Sequence, residues 1–138
     1  MRKRFLRIGA FMGFLSVAIG AFGAHGIKPL LDPDQFTVFH TAVEYQFYHT
    51  LAILFVAGLM HFGRKSMLTY AGTFFTIGIV FFSGSLYAMS FASIVKLNLS
   101  MLGPVTPLGG LCFILGWVAL FVSTFMDYDR RYKDETDK

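Results

Sequence analysis

The sequence predicts an all-α integral membrane protein, a four-helix bundle with both termini cytoplasmic. Three observations carry that reading. Residues 66–95 and 97–126 contain no charged side chain, and only Lys96 separates them; about twenty apolar residues are enough to cross a bilayer. Residues 5–24 and 39–60 supply two further apolar segments, and Glu44 is the single acidic residue within any of the four. Hydrophobic residues make up 55% of the chain and charged residues 14%, against about 25% charged in an ordinary soluble domain; the mean hydropathy is +0.60.

The 138 residues suit one membrane domain with spans over about 5–24, 37–62, 67–92 and 107–126, followed by a polar cytoplasmic tail over 127–138. No room remains for a separate soluble domain. The net charge of +4 does not point to nucleic acid, because the basic residues sit at helix ends and form no basic face. Cys112 is the single cysteine, so neither an intrachain disulfide nor a multi-cysteine metal site is expected, and it reads as a small apolar filler.

Span one follows Arg2-Lys3-Arg4 and resembles a secretory signal peptide, but its apolar run is long for one and is read as the first membrane helix. Gly9, Gly13, Ser16, Gly20 and Gly23 recur at steps of three or four, forming a narrow stripe that lets a neighbouring helix backbone approach closely. Pro29 is expected to stop this helix. Asp32-Pro33-Asp34-Gln35 then reads as an N-cap, a proline at the first helical position and a glutamine placed for a capping box. Helix two is therefore expected from Pro33 to about Phe62, with its first two turns in the outer interface. Helix three runs back outward from Lys65. Gly103, Pro104 and Pro107 mark a turn, with span four starting near Pro107, and the tail reads as a frayed helical extension or disorder.

Orientation follows from the basic residues. Arg2, Lys3, Arg4, Arg7, Arg64, Lys65, Arg130, Arg131, Lys133 and Lys138 fall on one side, and only Lys28 and Lys96 on the other. Positive residues collect on cytoplasmic flanks, which places both termini there, in the cell (inner or plasma) membrane.

Span two carries most of the chemistry. Thr37, His40, Thr41, Glu44 and Tyr48 lie within about 60° of Glu44 on a helical wheel; Tyr45 and His49 form a neighbouring pair, and Gln46 points the opposite way. The topology brings His25, Ser83, Ser85 and Tyr87 to the same outer level. The expectation is that Glu44 points into the bundle, within hydrogen-bonding reach of His25, His40, Ser83, Ser85 or Tyr87, because lipid is a poor solvent for a carboxylate. Trp117 lies about 15 Å into span four, too deep for an interfacial belt, so its indole N–H needs an internal partner. The seventeen phenylalanines are expected mostly to face lipid or fill gaps between helices.

The segments GAFGAHGIK at 20–28, EYQFYHTLAIL at 44–54, FSGSLY at 82–87 and LGPVTPLGG…GW across 102–117 resemble, in order and over nearly the whole chain, a small four-helix membrane protein family of unknown function. The family is widespread in bacteria and has eukaryotic relatives described only as a small transmembrane protein. The resemblance implies fold and location but supplies no catalytic or binding residues.

Two functional classes follow. One is a non-enzymatic packing or accessory module, alone, as a homo-oligomer or in a larger membrane complex, with an outward-facing polar cluster around Glu44. The alternative is a small oligomeric proton- or cation-linked carrier using Glu44, since carboxylates and histidines titrate when their surroundings change. A metal site of His40, Glu44 and His25 or His49 lacks a dedicated ligand pattern, and haem lacks a pocket. Ser83 and Ser85 have no fixed acid–base partners for nucleophilic catalysis, so no cofactor, metal or catalytic residue is assigned.

Overall fold

A computed structural model describes residues 1–61, 65–97 and 99–136. Among them all regular structure is helical, in four helices. Helix α1 runs Arg2–Phe22 and continues through a π-turn, Gly23–Ile27, and a 3-10 turn, Lys28–Leu30. Helix α2 is Pro33–Leu59. Helix α3 joins two α segments, Lys65–Gly78 and Gly84–Ile94, through a π-turn at Ile79–Ser83. Helix α4 runs Val105–Thr136 after a 3-10 turn at Ser100–Leu102. Three stretches, Arg2–Leu30, Ser66–Ile94 and Val105–Phe125, are long and apolar enough to cross a membrane. The 27-residue α2 is about 40 Å long, but it carries His40, Glu44, Gln46 and His49 and falls outside that set.

The helix ends show which local signals act. Pro29 does not stop the first helix. It sits at the start of the 3-10 turn, where its missing N–H is not required, and the break comes at Leu31, which is extended. At α2 the cap forms as the sequence reads: Asp32 is extended and its Oδ1 accepts from the Gln35 N–H at 2.8 Å, with Pro33 first in the helix. The helix ends at Leu59, earlier than expected, and Phe62 lies outside the described residues. At the end of α3, the Leu97 N–H donates to the Ala92 carbonyl at 2.8 Å and the Lys96 N–H to Ser93 at 3.2 Å. Lys96 has φ 56°, so this is a Schellman closure with lysine where glycine is usual. Pro107 occupies the third position of α4, among the donors that have no partner within a helix, so the helix begins two residues earlier.

Consecutive helices pack antiparallel. A Cβ on Gly9 would lie 2.5 Å from Leu54, on Gly13 3.4 Å from Thr50 and on Gly20 3.2 Å from Val43, while one on Gly23 would overlap the Phe39 ring. Numbers rising along α1 meet numbers falling along α2, and the stripe of Gly9, Gly13, Gly20 and Gly23 faces that helix throughout. Ser16, between them, is buried.

The α3–α4 seam is built from glycine and phenylalanine in alternation. Gly78 receives Phe113, Gly116 receives Phe75, and Gly109 lies against the backbone N and Cα of Phe82. Phe5, Phe39, Phe75 and Phe113 are thus core residues, whereas Phe11, Phe14, Phe55 and Phe121 are exposed. An apolar cluster gathers Phe5, Ile53, Val56, Met60, Leu68 and Phe75 among others and includes Phe113, against whose ring the His49 imidazole stacks.

Candidate functional site

The inward face of α2 is a row of buried residues at alternating steps of three and four: Phe39, Ala42, Gln46, His49, Ile53, Val56 and Met60. Gln46 and His49 are the hydrogen-bonding members of that row, and each is held by a neighbouring helix. The Gln46 amide Nε2 donates to the Met12 carbonyl at 3.0 Å, which also accepts from Ser16 Oγ at 2.9 Å. The Tyr87 hydroxyl donates to Gln46 Oε1 at 2.9 Å. One amide therefore joins α1, α2 and α3. The Met12 carbonyl oxygen thus receives side-chain donors from both α1 and α2.

His49 forms the second junction. Its Nδ1 lies 2.8 Å from the Tyr45 carbonyl and its Nε2 lies 3.4 Å from the Trp117 indole nitrogen. A carbonyl only accepts and an indole N–H only donates, so the pair of contacts selects the neutral imidazole protonated on Nδ1. The ring stacks on Phe113, with centroids 3.5 Å apart and planes within 10°, and Phe75 stands 5.6 Å away. His49 is thus the internal partner that the depth of Trp117 requires. The indole body is 49% exposed, while its N–H is turned inward.

Glu44 does not point into the bundle. Its side chain is 44% exposed, and its recorded partner is His40, with Nδ1 to Oε1 at 3.6 Å, too long for a hydrogen bond. His40, Tyr48 and His25 are exposed as well. The physical reason lies in the helix register. Glu44 stands two residues from both Ala42 and Gln46 of the buried row, about 160° around the helix from each at 100° per residue, so its side chain projects away from the bundle.

The remaining candidates face the interior but serve other partners. Ser85 Oγ donates to the Phe82 carbonyl at 2.9 Å and sits 2.7 Å from Thr106 Oγ1, tying α3 to the start of α4. Tyr87 is taken by Gln46. Ser83 is fully buried, and its hydroxyl, like that of Thr50, has no hydrogen-bond partner among the described residues. The eight polar positions are therefore divided: His49, Ser83, Ser85 and Tyr87 within the packing, and Glu44, His40, His25 and Tyr48 on the outside. Among the described residues, no group of three or more His, Cys, Asp or Glu side chains is placed to hold a metal ion.

Gln46 is the residue that sequence reasoning left aside, because the denser polar stripe drew the inward assignment. The three–four spacing through it, with an apolar or small residue at most other positions, is the signal that identifies the buried face.

The pattern of a family described as "Protein of unknown function (DUF423)" matches residues 19–110. The chain is 41% identical to the UPF0382 membrane protein SH2409 of Staphylococcus haemolyticus, over 89% of this chain and 96% of that one. It is 41% identical to the UPF0382 membrane protein YwdK of Bacillus subtilis, over 88% and 95%. With the UPF0382 inner membrane protein YgdD of Escherichia coli it shares 37% identity, over 88% and 90%. No solved structure matches.

Proposed function

We propose that this chain, which belongs to the UPF0382 (DUF423) family of bacterial membrane proteins of unknown function, is a non-enzymatic accessory module that packs within a larger membrane assembly. One observation carries the reading: two of the three buried polar side chains of α2, Gln46 and His49 but not Thr50, are committed to holding helices together. Gln46 bonds to α1 and α3, and His49 bonds to α4. Hydrogen bonds between membrane helices average only about 0.6 kcal/mol, but they fix which helices meet and in what register. Within this reading the protein is one domain of four passes, α2 included, and the ten-to-two distribution of basic residues sets both termini in the cytoplasm.

A carrier using Glu44 is the second reading, favoured by one specific feature. The His40–Glu44 pair, with Thr37, Thr41 and Tyr48 alongside, forms a polar stripe on the outside of α2, where a second copy would supply the other wall of a path.

Extraction from native membranes into polymer nanodiscs, followed by mass measurement of the intact particles, separates the two. The accessory reading predicts a particle of defined stoichiometry containing another membrane protein. Homodimers alone, with solute uptake that disappears in Glu44→Gln, would support the carrier instead.

A further inference from the structure

A laterally open groove of about 800 Å³ lies where α2, α3 and α4 meet. Tyr45, Tyr48, Phe82, Phe113 and Trp117 contribute to its walls, and His49 lies at its floor. The groove is nearly all apolar, as ligand sites generally are, with few polar groups to fix orientation. Here those groups are the Trp117 N–H and the His49 Nε2 lone pair, which meet each other at a long 3.4 Å. His49 is 6% exposed and Trp117 49%, so the acceptor is held in the packing while the indole forms part of the open wall, with its N–H turned in toward His49.

The two groups ask for one kind of atom. A hydroxyl oxygen donates through its hydrogen and accepts through its lone pairs, so a single hydroxyl placed between them satisfies both. The orientation of His49 is fixed from behind, because its Nδ1–H is held by the Tyr45 carbonyl and its face by Phe113. Aromatic walls favour a flat ring by offset and edge-to-face contact. An acyl chain would fill the same volume but would bring nothing for either nitrogen. We propose that this groove binds a lipid-soluble phenol, an apolar molecule with a planar ring and a hydroxyl that bridges Trp117 Nε1–H and His49 Nε2. The proposal goes beyond the accessory role; the hydroxyl would exchange the long direct His49–Trp117 contact for a bridged one, so α2 and α4 stay joined through it.

The chain has one tryptophan, so the full-length ¹⁵N-labelled protein in lipid nanodiscs gives one indole N–H resonance. Titration with 4-nonylphenol is compared with titration by 4-nonylanisole, its methyl ether, which has the same apolar body and no hydroxyl hydrogen. The expected result is a saturable shift of the indole resonance by the phenol, with the ether binding about tenfold more weakly, the equivalent of one net hydrogen bond. His49→Phe, which keeps a ring against Phe113, should abolish the difference between the two probes. Equal shifts by phenol and ether would show apolar filling only and overturn the proposal, as would no saturable shift by either. A phenol preference retained in His49→Phe would also overturn it. If that variant does not fold, the wild-type comparison decides by itself.

Discussion

Replacing Gln46 with Leu keeps the side-chain volume close to the original and removes the two bonds that its amide makes to α1 and α3. Each bond across membrane helices is worth about 0.6 kcal/mol on average and up to about 1.7 kcal/mol. Losing the contacts at 3.0 Å to Met12 and 2.9 Å to Tyr87 therefore costs about 1–3 kcal/mol. The Met12 carbonyl keeps its bond from Ser16, so little is added on that side. The Tyr87 hydroxyl loses its acceptor, and a buried donor left unpaired costs a further 1–3 kcal/mol or so. The expected destabilisation is about 2–6 kcal/mol. Unfolding by dodecyl sulfate in mixed micelles, followed through the fluorescence of Trp117, measures it. Tyr87→Phe and the double variant complete a cycle, and a coupling of about 0.6–1.7 kcal/mol is expected. Strict additivity, or a Gln46→Leu protein as stable as wild type, would show that the amide does not join the helices.

Three further perturbations test the packing and the orientation. Gly109→Ala places a methyl against the backbone of Phe82 rather than against a movable side chain, and the same unfolding assay should show a loss of at least about 2 kcal/mol; a loss under about 0.5 kcal/mol would remove the close α3–α4 approach. Lys96→Gly relieves a left-handed conformation at φ 56° that costs a side-chain-bearing residue about 1 kcal/mol, so the variant should be more stable, and a destabilised one would contradict the Schellman closure. On a Cys112→Ser background, a cysteine at Lys28 should react with an impermeant maleimide added to intact cells and one at Asp134 should not; outside labelling of the Asp134 position reverses the proposed orientation.

Much of the fold was legible because membrane helices are written in uninterrupted apolar runs and their ends in local chemistry. Asp32, Pro33 and Gln35 act through bonds within one turn, which a sequence displays directly. Gly9, Gly13, Gly20 and Gly23 were legible as a stripe because small residues at helical spacing have one common face. Pro29 misled, since its effect depends on whether the surrounding turn needs its N–H, and a π-turn had already shifted the register there. Glu44 misled for a different reason. A helical wheel ranks faces but does not say which one is buried, and the buried row through Ala42, Gln46 and His49 lies on the opposite side of α2 from Glu44. The Gly–Phe alternation of Gly78, Gly109 and Gly116 with Phe113, Phe82 and Phe75 was invisible because it pairs residues more than twenty-five positions apart. The Trp117–His49 contact was half visible: depth showed that the indole needed a partner but not which one.

In the proposed accessory role the buried polar side chains, Gln46 and His49 foremost, keep this bundle together, and Glu44 carries no protons across the membrane. Proteoliposomes with an imposed pH gradient, and a pH-sensitive dye trapped inside, test this most directly. The gradient should decay at the protein-free rate with wild type and with Glu44→Gln alike. A faster decay with wild type that returns to the protein-free rate in Glu44→Gln would contradict the account and place the carboxylate on a conduction path.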